Sequence, residues 1–205
     1  GKPSFTLVNM AEANGLSHEN AHDALSDIEA TISLAKLVKT VQPKLFDYHF
    51  QMRKKPPVLE LLYPLGKNPI LLVQPFFDPS DRYLAPILPL LAHPMNQNSV
   101  VCLDLRQDPE RYRLLTGDAL TEFLLPPRVP GQRSAPSVVQ MVQINRCPPI
   151  APINTLPTDL AQGLSWSVAA LTGFVKQIQS NPRIQGALIE ALRQPPATSV
   201  KDAEF

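Results

Sequence analysis

His22 and Asp27 are the two residues whose types and spacing could do chemistry together. They lie in the string NAHDALSDIEATISLAKLV, where the histidine precedes a helix-patterned run and the aspartate falls on its second turn. A histidine at a helix entry, followed five residues later by an aspartate, sets both groups on one rim of a site. Two-metal hydrolases use carboxylates to hold paired divalent ions and a base near neutrality to take a proton from the attacking water. Asp27 fits the first task and His22 the second. Both residues also have a plainer reading, His22 as a cap or solvent-facing side chain and Asp27 as a favourable charge in the first turns of a helix. Asp23 between them reads as a stabiliser of the helix start, and Glu29 as solvent-facing.

A second group of residues could hold nucleic acid. Lys36, Lys39, Lys44, Arg53, Lys54 and Lys55 gather in one stretch with Phe46, Tyr48 and Phe50 interleaved. Cations for phosphates and aromatic faces for bases hold single strands without sequence preference. Lys39, Lys44, Arg53, Lys54 and Lys55 are the candidate contacts. The alternative is a set of solvated lysines beside a buried stripe of Phe46 and Phe50, four residues apart on a helix. Further along, Arg128 and Arg133 fall in a proline-rich stretch, and Arg146 stands beside Cys147. A guanidinium can grip a phosphate or, bidentately, a carboxylate. His93 in HPMNQN stands at a strand-to-turn junction and is assigned no chemistry.

The elements that must position these groups follow from the punctuation of the chain. Ser4 is placed to cap a short helix through Met10 and Ala11, which Asn14-Gly15 stops in the left-handed conformation. Apolar residues at 25, 28, 32 and 35 then give one helical face, ended by Pro43. A second helical stretch, KLFDYHFQMRKK, is expected to close on Pro56-Pro57, with a domain boundary between residues 43 and 57. Beyond it, ILLVQ (70–74), YLAPILPLL (83–91), SVVCLDL (99–105) and SVVQMVQI (137–144) read as strands. Helices are expected in TGDALTEFLL, SWSVAALTGFVKQIQ and NPRIQGALIEALR. LLPPRVPGQRSAPS (124–137) reads as an extended loop and QPPATSVKDAEF as a linker.

Composition bounds what this chain can be. At 205 residues and 44% hydrophobic content it can build one substantial core or two modest ones. Nineteen Lys and Arg against 18 Asp and Glu leave a net charge of +1, so any DNA site must be a local patch. Cys102 and Cys147 are too few for a disulfide framework and lack zinc-ligand spacing. No apolar run approaches the roughly 20 residues that span a bilayer, and GKPSFTLVNM lacks the layout of a signal peptide. The expectation is a soluble, cytoplasmic protein with no membrane contact. Twenty-three prolines, about twice ordinary usage, argue against long helices and central strands after the first fifty residues.

The string around His22 and Asp27 is similar to the third motif, H-x-x-x-x-D, of the DEDDh exonucleases in the RNase H-like superfamily. Its continuation AKLVKTVQPKLFDYHF, with HPMNQNSV and QINRCPPIAPINTL at a distance, resembles the exodeoxyribonuclease I family over nearly the whole chain. The resemblance implies an α+β fold, with the C-terminal helices of an RNase H-like exonuclease domain (1–45) followed by an SH3-like β-barrel domain with inserted and terminal helices (46–196). Residues 197–205 would lead toward a further helical domain. It implies 3′→5′ hydrolysis of single-stranded DNA to nucleoside 5′-monophosphates, with Mg²⁺ as cofactor, His22 as general base and Asp27 as metal ligand. The family's Asp-x-Glu pair and further Asp precede anything in this sequence, so the fragment alone is expected to be inactive. A partner is implied too, the acidic tail of single-stranded DNA-binding protein, for which Tyr48 and Arg146 are the candidate contacts. The competing reading is a non-catalytic SH3-like module that binds single-stranded DNA or an acidic peptide.

Overall fold

The computed structural model describes residues 4–16, 23–126 and 138–193. Expectations for His22, Arg128, Arg133, most of the 124–137 loop and the tail from residue 194 lie outside these residues. The chain divides into two compact units, 1–54 and 55–205.

The first unit is helical. In α1 (Leu7–Ala13) the cap is Thr6, whose extended backbone lets its hydroxyl accept the Asn9 N–H at 3.4 Å. Ser4, the expected cap, stands too early and instead accepts from the Asn9 side chain at 2.6 Å. Gly15 follows at φ +64, the left-handed stop that a side chain would resist. Next, α2 (Ala24–Val41) begins behind Asp23, whose carboxylate accepts the Ser26 N–H at 3.2 Å. In α3 (Pro43–Met52) Pro43 occupies the first turn. Both α1 and α3 pack on α2.

The packed face of α2 differs from the one its spacing suggested. Leu25, Ile28 and Ile32 are 64%, 56% and 48% exposed, while Ala30 is fully buried. The helix has apolar side chains on more than one face, and periodicity alone does not say which face meets a neighbour.

The second unit opens with α4 (Lys55–Leu62), which buries Val58 and Leu62. Pro56 and Pro57 were expected to break a helix, yet they lie in its first turn. N–H groups there have no partner within the helix, so the missing donors cost nothing.

Strands β1 (Ile70–Val73), β2 (Leu84–Ala92), β3 (Ser99–Asp104), β4 (Val139–Gln143) and β5 (Ile150–Pro152) form one antiparallel sheet in the order β4-β3-β2-β1-β5. The first four match the expected runs. β5 was not foreseen, being three residues among prolines.

β2 is central despite Pro86 and Pro89, against the expectation drawn from proline content. The ladder shifts register between Pro89 and Leu91, where a bulge absorbs a missing donor. The Pro89 carbonyl takes the Gly66 N–H at 2.6 Å, and that of Pro86 takes the Leu105 N–H at 2.8 Å.

Both faces of the sheet are covered. Leu71, Leu88, Val101 and Leu103 join a core with Leu120 and Leu124 of α5 (Gly117–Leu124). The same core takes Leu171, Val175 and Ile178 from α7 (Val168–Gln179), and Ile184 and Leu188 from α8 (Arg183–Arg193). The alternate residues Ile70, Leu72, Ile87, Val100, Cys102 and Val142 are buried on the opposite face. Burial on both sides explains why these strands read as continuous apolar runs. Leu72 of β1 and Val142 of β4 line one cleft although β2 and β3 lie between them in the sheet, so the sheet curves. The short α6 (Thr158–Gln162) leads to α7.

Candidate nucleic-acid interface

The α2–α3 hairpin builds a stack of alternating character. Gln42 ends α2, and Pro43 starts α3 at once, which returns the chain beside the last turn of α2. Phe46 and Phe50, one turn apart on α3, stack at 6.0 Å with ring planes 13° apart. The Lys39 ammonium stands 5.7 Å from the Phe46 centroid, and the Arg53 guanidinium 3.7 Å over Phe50. Arg53 also donates to the Phe50 carbonyl at 2.8 Å, favourable for a cation at a helix C-terminus.

Phe50 remains 49% exposed, so the pair is not the buried stripe of the alternative reading. Two cations bracketing two rings, with Lys44 and Lys54 exposed, are the features that hold phosphates and bases of a single strand. Lys55 is occupied within its own unit, donating to the Asn98 side chain at 2.6 Å.

Asp27 lies half-buried on the first turn of α2, one turn earlier than expected because the helix begins at Ala24. Its N–H donates to the Asp23 carbonyl at 2.9 Å. Among the described residues no three His, Cys, Asp or Glu side chains converge. A pair of hydrated divalent ions needs several carboxylates, so the described residues do not by themselves fit such a centre.

Tyr48 is half-buried, edge-on to His49 at 5.6 Å, and burial raises its phenol pKa. Arg146 is exposed at the rim of a cleft of about 170 Å³ lined by Leu72, Gln74, Met141, Gln143 and Pro149. A guanidinium over an apolar floor with two amides suits a carboxylate attached to an apolar side chain.

Sequence reasoning passed over Phe76, Arg82 and Arg106. Phe76 is 71% exposed. Arg106 lies 4.3 Å over the ring of Phe77 while gripping both oxygens of Asp104 through Nε at 3.0 and 3.1 Å. The available signal was QPFFDPSD, two adjacent aromatics inside a turn-rich string, of which the core takes only Phe77.

The sequence profile of the family described as "Exonuclease I SH3-like domain" matches residues 53–194. The chain belongs to that family. It is 36% identical to exodeoxyribonuclease I of Escherichia coli K12 over 189 residues, 92% of this chain and 40% of that enzyme. It is 37% identical to the Haemophilus influenzae exodeoxyribonuclease I over 166 residues, 80% of this chain and 35% of the relative. The chain thus spans about two fifths of the length of these relatives or less.

Among solved structures, E. coli exonuclease I in complex with a dA16 oligonucleotide superposes with TM-score 0.83 at 34% identity, covering 98% of this chain and 43% of that one. A moderately thermophilic exonuclease I from Methylocaldum szegediense gives 0.80 at 33% identity, covering 95% and 42%. Helices mixed with one antiparallel sheet in an SH3-like family are the architecture the resemblance implied. No helix among the described residues is long and apolar enough to cross a membrane.

Proposed function

We propose that this chain is part of a cytoplasmic 3′→5′ exonuclease acting on single-stranded DNA, and that its own contribution is to hold the strand. The observation that carries this reading is the Lys39–Phe46–Phe50–Arg53 stack, which pairs two cations with two rings, Phe50 being half exposed, on a helical hairpin. Lys44, Lys54 and Lys55 extend the basic character along the chain. Likeness to an exonuclease I bound to an oligonucleotide supports the choice of ligand.

In the parent enzyme His22 takes the proton of the attacking water, and Asp27 offers a carboxylate to a divalent ion. Magnesium, when bound, supplies charge stabilisation for the attacking and leaving oxygens. By itself the chain is inactive, because one carboxylate and one histidine cannot assemble that centre. Residues 1–45 belong with the catalytic domain and 46–196 with the strand-holding domain. Tyr48 and Arg146 serve the acidic tail of single-stranded DNA-binding protein, a role the cleft beside Arg146 supports for that residue.

The test is digestion of a 5′-labelled oligonucleotide with Mg²⁺ by this chain, by a chimera joining it to the rest of the E. coli relative, and by the chimera carrying His22→Ala. Shortening by the chimera alone, lost on His22→Ala, is expected. A chimera that is folded and inactive overturns the catalytic assignment and leaves a binding module.

A further inference from the structure

The loop from Gln74 to Tyr83, between β1 and β2, presents one aromatic ring to solvent on an unusually well-braced support. Phe76 is 71% exposed, while its neighbour Phe77 is 6% exposed. Their rings meet at 5.1 Å and 76°, a T-shaped contact that leaves most of Phe76 in water. Phe77 is itself held from above by Arg106, which Asp104 fixes in place.

The backbone is equally constrained. Gln74 N–H donates to the Tyr83 carbonyl at 3.0 Å, Phe77 N–H to Gln74 at 3.1 Å, and Tyr83 N–H to Asp78 at 3.2 Å. Asp78 accepts the Ser80 N–H at 2.8 Å, and the buried Asp81 accepts both the N–H and the hydroxyl of Ser165 at 2.7 Å. Arg82 and Tyr83 follow in the left-handed region at φ 53 and 62, where side chains are disfavoured. Strain of this sort persists only where the surroundings over-determine it. Arg82 is exposed and has no ion pair among the described residues.

We propose that Phe76 is a base-stacking platform for single-stranded DNA on the SH3-like unit, with Arg82 on the same loop as a cation for the backbone. A protein hot spot sits in a desolvated pocket ringed by contacts that exclude water. Phe76 instead is 71% exposed, on a loop that also carries Gln74, Asp78, Ser80 and Arg82. A single exposed ring on a hydrogen-bonded loop that also carries an exposed guanidinium has the chemistry of a nucleobase contact. Of the two carboxylates in the loop, Asp81 is buried against Ser165, and the charge of the exposed Asp78 is matched in number by that of Arg82. This inference rests on the reading of the chain as a holder of single strands and adds a contact on the second unit.

The test is anisotropy titration of a labelled thymidine oligonucleotide and of an abasic strand of the same length. The proteins are the whole chain and its Phe76→Ala, Phe76→Trp and Arg53→Ala variants. Phe76→Ala should bind the thymidine strand about tenfold more weakly. It should match the unsubstituted chain on the abasic strand. Phe76→Trp should keep the affinity, and its emission should be quenched on saturation, over a Trp166 signal that stays constant because that ring, 8% exposed, is shielded from the strand. Equal affinity of Phe76→Ala for the thymidine strand, or unquenched Phe76→Trp emission, overturns the inference. If Arg53→Ala weakens binding and Phe76→Ala does not, only this inference falls. If the unsubstituted chain binds neither strand, the strand-holding reading falls with it.

Discussion

The Asp81 carboxylate receives both the backbone N–H and the hydroxyl of Ser165, each at 2.7 Å, across 84 residues of chain. At 4% exposure this carboxylate meets little water, and the two bonds take its place. They pin the turn that carries Phe76 and Arg82 to the segment that inserts Trp166 into the core.

Asp81→Ala is therefore expected to cost about 2 kcal/mol, the range for a hydrogen-bonded charged group, and Asp81→Asn about half of that. Urea unfolding followed by circular dichroism measures both. A loss under about 0.5 kcal/mol for the alanine variant, the size of an ordinary surface change, would show that the pair does not hold the two segments together.

Alkaline pH should weaken the second unit. Tyr112 is fully buried, and its phenol pKa is raised, first by burial and then by Asp108 and Asp104. Burial likewise raises the Cys102 thiol. Because the folded state keeps these protons more tightly than the unfolded chain, their contribution is full below the unfolded values, 9.0 for the thiol and 10.0 for the phenol. It falls as pH rises past each, by about 1.4 kcal/mol per pH unit and group. Tyr112→Phe should flatten the decline above pH 10, as seen in unfolding free energies at stepped pH.

The two faces of α2 should answer substitution differently. Ile28→Ser on the exposed face is expected to change stability by about 0.5 kcal/mol or less. Ala30→Leu, where the site is fully buried, should cost about 1–3 kcal/mol by overpacking against the neighbouring helices. Thermal unfolding of the whole chain compares them, and the reverse order would mean that the apolar stripe at 25, 28 and 32 is covered in solution.

Salt should reveal which cations meet phosphate. If Lys39 and Arg53 each neutralise one phosphate, replacing either by alanine should reduce the slope of log affinity against log salt by about 0.7. Oligonucleotide titrations from low to moderate salt measure this. An unchanged slope would assign Arg53 to capping α3 alone.

Much of this molecule is legible in its amino-acid sequence. The placement of Asp23 at a helix start, the left-handed stop at Gly15 and the first four strands all follow from interactions within a few residues of one another. The motif around His22 and Asp27 and its continuation pointed to the family for a related reason, since a resemblance is carried by the order of residues. Pro56 and Pro57 misled only because a breaker and a first-turn residue look alike until the helix after them is placed.

What the tertiary structure alone decided is where each side chain ends up relative to residues distant in sequence. Spacing put the apolar face of α2 at 25, 28, 32 and 35, whereas the buried side is that of Ala30, since the choice depends on α1 and α3. Central placement of β2 became possible because Gly66 and a bulge meet the needs of Pro89. The stack through Phe46 and Phe50 stays open to solvent, and Phe76 stands clear of the core that takes Phe77. Local sequence sets backbone preference, whereas burial is a property of pairs of surfaces. For Asp81 the partner lies 84 residues further along the chain.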